Sequence, residues 1–194
     1  MRHLIDQYIR AEETKTVSSL DDMSLVELIV ERGADALNAL PEGIRRNQEA
    51  VAEVIENNVR RLIIDESPIN PKYYEKMSEL LAALIKQRRH EAMDYAEYLR
   101  RIVDLTKKAK NPAAGADYPG ALNSPAKRAL YDNLGKDAAL AVAVDAAVRE
   151  HRQDDWRNNP FKIKKVKNAI KAALDGDAER AEAMLELVKN QNEY

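Results

Sequence analysis

The sequence contains no cysteine, and only one tryptophan and one phenylalanine, among its 194 residues. Without cysteine, the chain has neither a disulfide framework nor a thiolate zinc site. Its apolar runs are too short and too interrupted by charge to cross a membrane, and the first residues, MRHLIDQYIRAEE, lack the apolar stretch of a signal peptide. These absences predict a soluble, cytoplasmic protein with no membrane contact.

The residues that are abundant indicate the fold class. Ala, Leu, Glu, Arg and Lys together make up half of the chain, a composition typical of long helices. An all-β fold is therefore excluded. Counting the apolar-periodic segments predicts an all-α fold, an irregular bundle of about seven or eight helices.

Helix start signals divide the chain. A capping residue comes directly before an apolar-periodic run at four places, namely Ser24 (with Glu27 three residues later), Asn70-Pro71, Ser124-Pro125 and Asn159-Pro160. After Pro71 the apolar residues continue at helical spacing, which predicts one long helix over about 71–108.

Composition also predicts two subdomains. The segment 110–123, KNPAAGADYPGALN, is rich in Pro, Gly and Ala and has no helical periodicity, so it is the expected linker. The chain then comprises an N-terminal helical subdomain over 1–109, which includes the long helix, and a C-terminal helical subdomain over 124–194.

Motifs of common enzymes are absent. The chain has no phosphate-binding loop, dinucleotide fingerprint, nucleophile elbow or HExxH helix, and its three histidines are far apart. We therefore expect no catalytic residue, no cofactor and no metal in this chain. Asp154 and Asp155, beside Trp156, stay open as a carboxylate metal site. Adjacent helical residues do not share a face, however, which favours a polar loop or cap with Trp156 as a core or interface anchor.

The strongest local feature is a basic amphipathic helix predicted within residues 158–171, NNPFKIKKVKNAIK. The net charge of −2 conceals it, because residues 154–174 carry six basic and two acidic side chains. One interpretation is docking onto an acidic protein surface, and another is contact with DNA phosphates. A solvated face of a structural helix is the third. The candidate contact residues are Trp156, Phe161, Lys162, Lys164, Lys165, Lys167 and Lys171.

Four strings of the sequence resemble a known family. They are LDDMSLVELIVERG (20–33), AVAEVIENNVRRLIIDESPINPKYYEKMSELLAALIKQRR (50–89), ALYDNLGKD (129–137) and RQDDWRNNPFKIKKVKNAI (152–170). These strings resemble the carboxyl-terminal region of the restriction (R, motor) subunits of type I restriction-modification enzymes. The resemblance spans essentially the whole chain, and the last two strings are its most specific part.

The resemblance implies that this chain is one region of a larger subunit whose catalytic activities belong to other domains. The parent subunit would be an ATP-dependent, site-specific deoxyribonuclease that uses ATP and Mg, with a nuclease domain and two helicase domains preceding this region. The region itself would dock the motor subunit onto the methyltransferase (modification) core during DNA restriction, with the preceding helicase domains and double-stranded DNA as further partners. No catalytic residue of the family maps onto these residues. The rival hypothesis is a DNA-binding module whose lysines in 161–171 contact phosphates.

Overall fold

The computed structural model describes residues 24–90, 93–114 and 117–194, and within these ranges every regular element is helical. This confirms the all-α prediction. None of the helices in these ranges combines the length and the apolar character that a membrane crossing requires. The α-helices are α1 (Leu25–Arg32), α2 (Glu42–Arg45), α3 (Gln48–Glu66), α4 (Pro71–His90), α5 (Tyr95–Lys110), α6 (Pro125–Asn133), α7 (Ala138–His151), α8 (Pro160–Ala173) and α9 (Ala178–Lys189).

The predicted helix starts are confirmed. Ser24 and Glu27 form a reciprocal capping box at α1, with the Glu27 N–H donating to Ser24 Oγ and the Ser24 N–H donating to Glu27 Oε2 at 2.9 Å. Asn159 accepts from the N–H groups of Phe161 and Lys162 at the start of α8. Each such cap satisfies backbone donors that the helix itself leaves unpaired.

The prediction of one long helix over 71–108 is wrong, because the chain reverses direction there. α4 and α5 pack against each other as an antiparallel pair. The hydroxyl groups of Tyr73 and Tyr74, at the start of α4, donate to the carbonyl oxygens of Lys108 and Ala109, at the end of α5, at 2.8 and 3.0 Å. Folding back lets the apolar stripes of the two halves bury each other, whereas a straight helix would leave them in water.

The buried residues fall into two clusters. The first core is formed by α1, α3, α4 and α5, and its members lie between Leu25 and Ala109. It contains a buried ion pair, since Arg88 Nε lies 2.9 Å from Glu56 Oε1 and both side chains are at least nine-tenths buried. The Tyr98 hydroxyl also donates to Glu56 Oε1, at 3.1 Å. These donors compensate the carboxylate for its loss of water.

The second core is a four-helix arrangement of α6 to α9, in which each helix contacts the next and α9 closes on α6. Its members lie between Leu122 and Tyr194, so Leu122 of the predicted linker packs into it. The turn between α6 and α7 has the same hydrogen-bonding pattern as the turn between α8 and α9. The N–H of Lys136 donates to Tyr131 O, and that of Gly176 donates to Lys171 O, both at 2.9 Å. An aspartate then caps the next helix in each case.

Candidate functional site

Three residues of the predicted contact set share one exposed face of α8. Phe161 is 85% exposed, and Lys164 and Lys165 follow it by three and four residues, one helical turn away. Within the described part of the chain, neither lysine forms an ion pair. These three residues, Phe161, Lys164 and Lys165, are called the α8 outer face below.

Helical geometry explains why Phe161 points outward although the opposite face of α8 is buried. Nine residues separate Phe161 from Ile170, and at about 100° per residue the two side chains lie about 180° apart. Ile170 and Val166 are fully buried in the second core. Phe161 is therefore not part of the apolar face that α8 buries.

The remaining lysines of the set lie on the flanks of α8 and interact within the molecule. Lys162 Nζ donates to the carbonyl oxygen of Asp154 at 2.7 Å, where it ties the preceding loop to the helix. Lys167 forms an ion pair with Glu182 of α9. Lys171 is partly buried. The structure therefore brings together only Lys164 and Lys165 as freely presented cations beside Phe161.

Trp156 lies inside the second core rather than on the surface. Only 2% of it is exposed, and the Arg157 guanidinium lies 5.1 Å from the centre of its ring. Arg157 in turn donates to the carbonyl oxygens of Lys189 and Gln191. The prediction that Trp156 contacts a partner directly therefore does not fit its burial. Its packing instead holds the loop before α8 against the end of α9.

Asp154 and Asp155 belong to that same loop. Asp155 adopts a left-handed backbone with φ of 53°, and its Oδ1 accepts from Asn158 Nδ2 at 2.5 Å. Among the residues that the structure describes, no three His, Asp or Glu side chains are grouped as metal ligands. The loop therefore has the geometry of a polar turn that leads into α8.

The string ALYDNLGKD lies at the junction between the two cores, a role that the sequence did not reveal. Asn70, which caps α4, donates to Asp132 Oδ2 at 2.7 Å and accepts from Asn133 Nδ2 at 2.8 Å. The Tyr118 hydroxyl donates to the same oxygen of Asp132 at 2.8 Å. Burial, together with this hydrogen bond to a carboxylate, raises the pKa of Tyr118.

A further hydrogen bond crosses the junction near the end of the chain. Gln191 Nε2 donates to the carbonyl oxygen of Ile69 at 2.7 Å, and Gln191 is itself buried. Buried polar groups that find partners across an interface favour one relative orientation of the two sides.

In comparisons with known proteins, the chain matches no protein-family model, no curated protein and no solved structure. The function of these sites is therefore inferred from their geometry.

Proposed function

We propose that this chain is the assembly domain of a DNA-translocating motor subunit, and that it docks that subunit onto the methyltransferase core of a type I restriction enzyme. The resemblance of the four strings is the source of this proposal. The α8 outer face is the single structural observation that carries it, because it lies within the string RQDDWRNNPFKIKKVKNAI and presents an anchor with adjacent charge.

The chemistry of the α8 outer face suits an acidic protein surface. An exposed aromatic ring that becomes buried in a partner's pocket is the common centre of an interface, and charged residues around it steer the encounter. Phe161 contributes almost nothing to folding at 85% exposure, so it is available for such a contact. Lys164 and Lys165 supply two positive charges that no described carboxylate neutralises.

Competition for the methyltransferase core tests the proposal. The chain should compete with the full-length motor subunit for binding to the core, and Phe161→Ala should weaken this competition by about 30-fold, the loss expected for an aromatic hot spot of about 2 kcal/mol. Circular dichroism should show an unchanged fold, since an exposed side chain is removed.

Ile64 offers the matched control. It is also a large exposed hydrophobic residue, at 63%, but it lies on α3 of the first core. Ile64→Ala should leave competition unchanged within about twofold, which is the range of a neutral surface substitution. If the wild-type chain fails to compete at high concentration, or if both variants compete equally well, the assembly proposal is wrong.

The alternative function is a DNA-binding module, and the two free lysines of the α8 outer face are the observation in its favour. Replacing both Lys164 and Lys165 by Ala should then reduce the slope of log affinity against log salt by about 1.8, since each neutralised phosphate contributes about 0.9. Phe161→Ala should leave that slope unchanged. Assembly predicts the opposite pattern, a strong effect of Phe161→Ala on core binding and weak DNA binding throughout.

We also propose that this chain is not catalytic by itself. ATP and Mg would act in the preceding domains of the parent subunit. Assays of ATP hydrolysis and DNA cleavage on the isolated chain, with Mg present, should show no turnover above buffer. Turnover that follows the protein through purification would contradict this part of the proposal.

A further inference from the structure

A cleft of about 360 Å³ opens between the two cores, at a place that the sequence did not single out. The start of α4, the end of α5 and the turn from α6 to α7 meet there. Its volume lies within the range of small-ligand sites in proteins. The polar side chains that line it include Lys72, Lys76, Lys108, Tyr118, Asp132 and Lys136.

The cleft carries an excess of positive charge. Lys76, Lys108 and Lys136 form no ion pair with any residue that the structure describes, whereas Lys72 Nζ lies 2.7 Å from Glu75 Oε2. Asp132 is the one carboxylate in the lining. Counting Glu75 against Lys72 and Asp132 against one other lysine leaves two positive charges around one concave surface.

The carboxylate of Asp132 is already occupied by neighbours. Asn70 Nδ2 and the Tyr118 hydroxyl both donate to its Oδ2. Asp132 therefore serves the junction between the cores, and the lysine ammonium groups keep their donor capacity for something else. An ammonium group offers three donors and no acceptor, so an oxygen-rich anion is its complementary ligand.

The arrangement of the lysines in the cleft is locally unfavourable. Lys72 and Lys76 lie one helical turn apart on α4, where like charges repel each other. Lys136 adopts a left-handed backbone with φ of 65°, a conformation that costs a side chain-bearing residue about 1 kcal/mol. At the equivalent place in the α8–α9 turn, the chain has Gly176, with φ of 87°. That turn has its own left-handed residue with a side chain, Asp175 with φ of 54°, so the strain is common to both turns and the lysine charge is what distinguishes this one.

The N-terminus of α4 also favours the binding of an anion in the cleft. Lys72 and Tyr73, from the first turn of α4, line the cleft, and the partial positive charge of a helix N-terminus attracts anions. α4 is 20 residues long, so its dipole is fully developed. The helix end and the lysine charges therefore act in the same direction.

We propose that this inter-core cleft is a binding site for phosphate groups, with Lys76, Lys108 and Lys136 as the residues that hold them. A small phosphorylated compound and the backbone of DNA present the same chemistry to these lysines. The site is separate from the α8 outer face, and it would tie ligand binding to the relative position of the two cores.

Inorganic pyrophosphate is the probe, and isothermal titration calorimetry on the whole chain at low salt is the measurement. We expect saturable binding that is about tenfold weaker in Lys76→Ala and in Lys136→Gly, the loss of one charge-assisted hydrogen bond in each case. Lys136→Gly is the decisive variant. It removes the charge while placing glycine in the left-handed conformation that glycine prefers, so its melting temperature should not fall.

Lys86→Ala is the matched control, since Lys86 is also an exposed lysine without an ion pair in the described part of the chain, and it lies on α4 outside both the cleft lining and the α8 outer face. It should bind pyrophosphate as the wild type does. The proposal is overturned if the wild-type chain does not bind pyrophosphate at millimolar concentration, or if Lys86→Ala weakens binding as much as Lys136→Gly does.

Competition with a DNA duplex identifies the source of the phosphate. A duplex that displaces pyrophosphate from the wild-type chain, but has lost affinity for Lys136→Gly, would assign the cleft to backbone phosphates. If pyrophosphate stays bound at saturating duplex, a small phosphorylated compound is the ligand. Either result supports the phosphate site. Lys136→Gly should still compete for the methyltransferase core, so the failure of one proposal does not imply the failure of the other.

Discussion

The buried ion pair of the first core permits a quantitative prediction. Arg88→Met should lower the free energy of unfolding by about 3–5 kcal/mol, because it leaves the Glu56 carboxylate without its charged partner in the core. Only 4% of the Glu56 side chain is exposed, so water cannot replace the guanidinium. Tyr98 would remain as a donor, at 3.1 Å, but it carries no charge. Methionine keeps most of the apolar stem of arginine, so lost packing adds little.

Urea unfolding, followed by circular dichroism, measures the effect. The double variant Glu56→Gln/Arg88→Met should be more stable than Arg88→Met alone, since it removes the uncompensated charge. Arg61→Met is the control, because Arg61 forms an exposed pair with Asp65 at 3.7 Å, and breaking such a pair costs about 1 kcal/mol or less. The reasoning is refuted if Arg88→Met costs no more than Arg61→Met, or if the double variant is less stable than the single one.

Two further predictions follow from burial. Burial, with a smaller effect of Asp132, raises the pKa of Tyr73 from 10.0 to about 12. The contribution of the neutral Tyr73 side chain to stability is therefore complete below pH 10.0 and is lost as the pH rises to about 12. The midpoint of urea unfolding should fall across that pH window as tyrosinate absorbance appears, whereas an unchanged midpoint would contradict the pKa assignment. Trp156→Ala should destabilise the second core by about 3–5 kcal/mol, whereas Phe161→Ala should change stability by less than about 0.5 kcal/mol, and equal effects in urea unfolding would show that their burial is misassigned.

The helix starts were predictable because capping is a local interaction. Ser24 and Glu27 are three residues apart, and Asn159 bonds to donors two and three residues later. Such contacts need no tertiary context. The position of Phe161 could also have been found, since a nine-residue separation from Ile170 places the two on opposite sides of any helix.

The sequence indicates the reversal of the chain after α4 less clearly than it indicates the helix starts. Asp94 and Glu97 have the spacing of a helix start, but the apolar period continues on both sides of them, and it suggested one helix. Two helices are favoured over one because α5 then buries its apolar surface against α3 and α4, which lowers the free energy of the folded state. That gain depends on elements distant in the sequence, so a local pattern could not reveal it.

The sequence by itself determined the helical class, the helix starts and the basic character of α8, because composition, capping and charge act over a few residues. Only the tertiary structure decided which side chains meet. It buried Trp156, exposed Phe161 and joined Asn70 to Asp132 across 62 positions. It also brought four lysines from three parts of the chain around one cleft. Such juxtapositions arise from the packing of two apolar cores, which selects a global arrangement that no local pattern encodes.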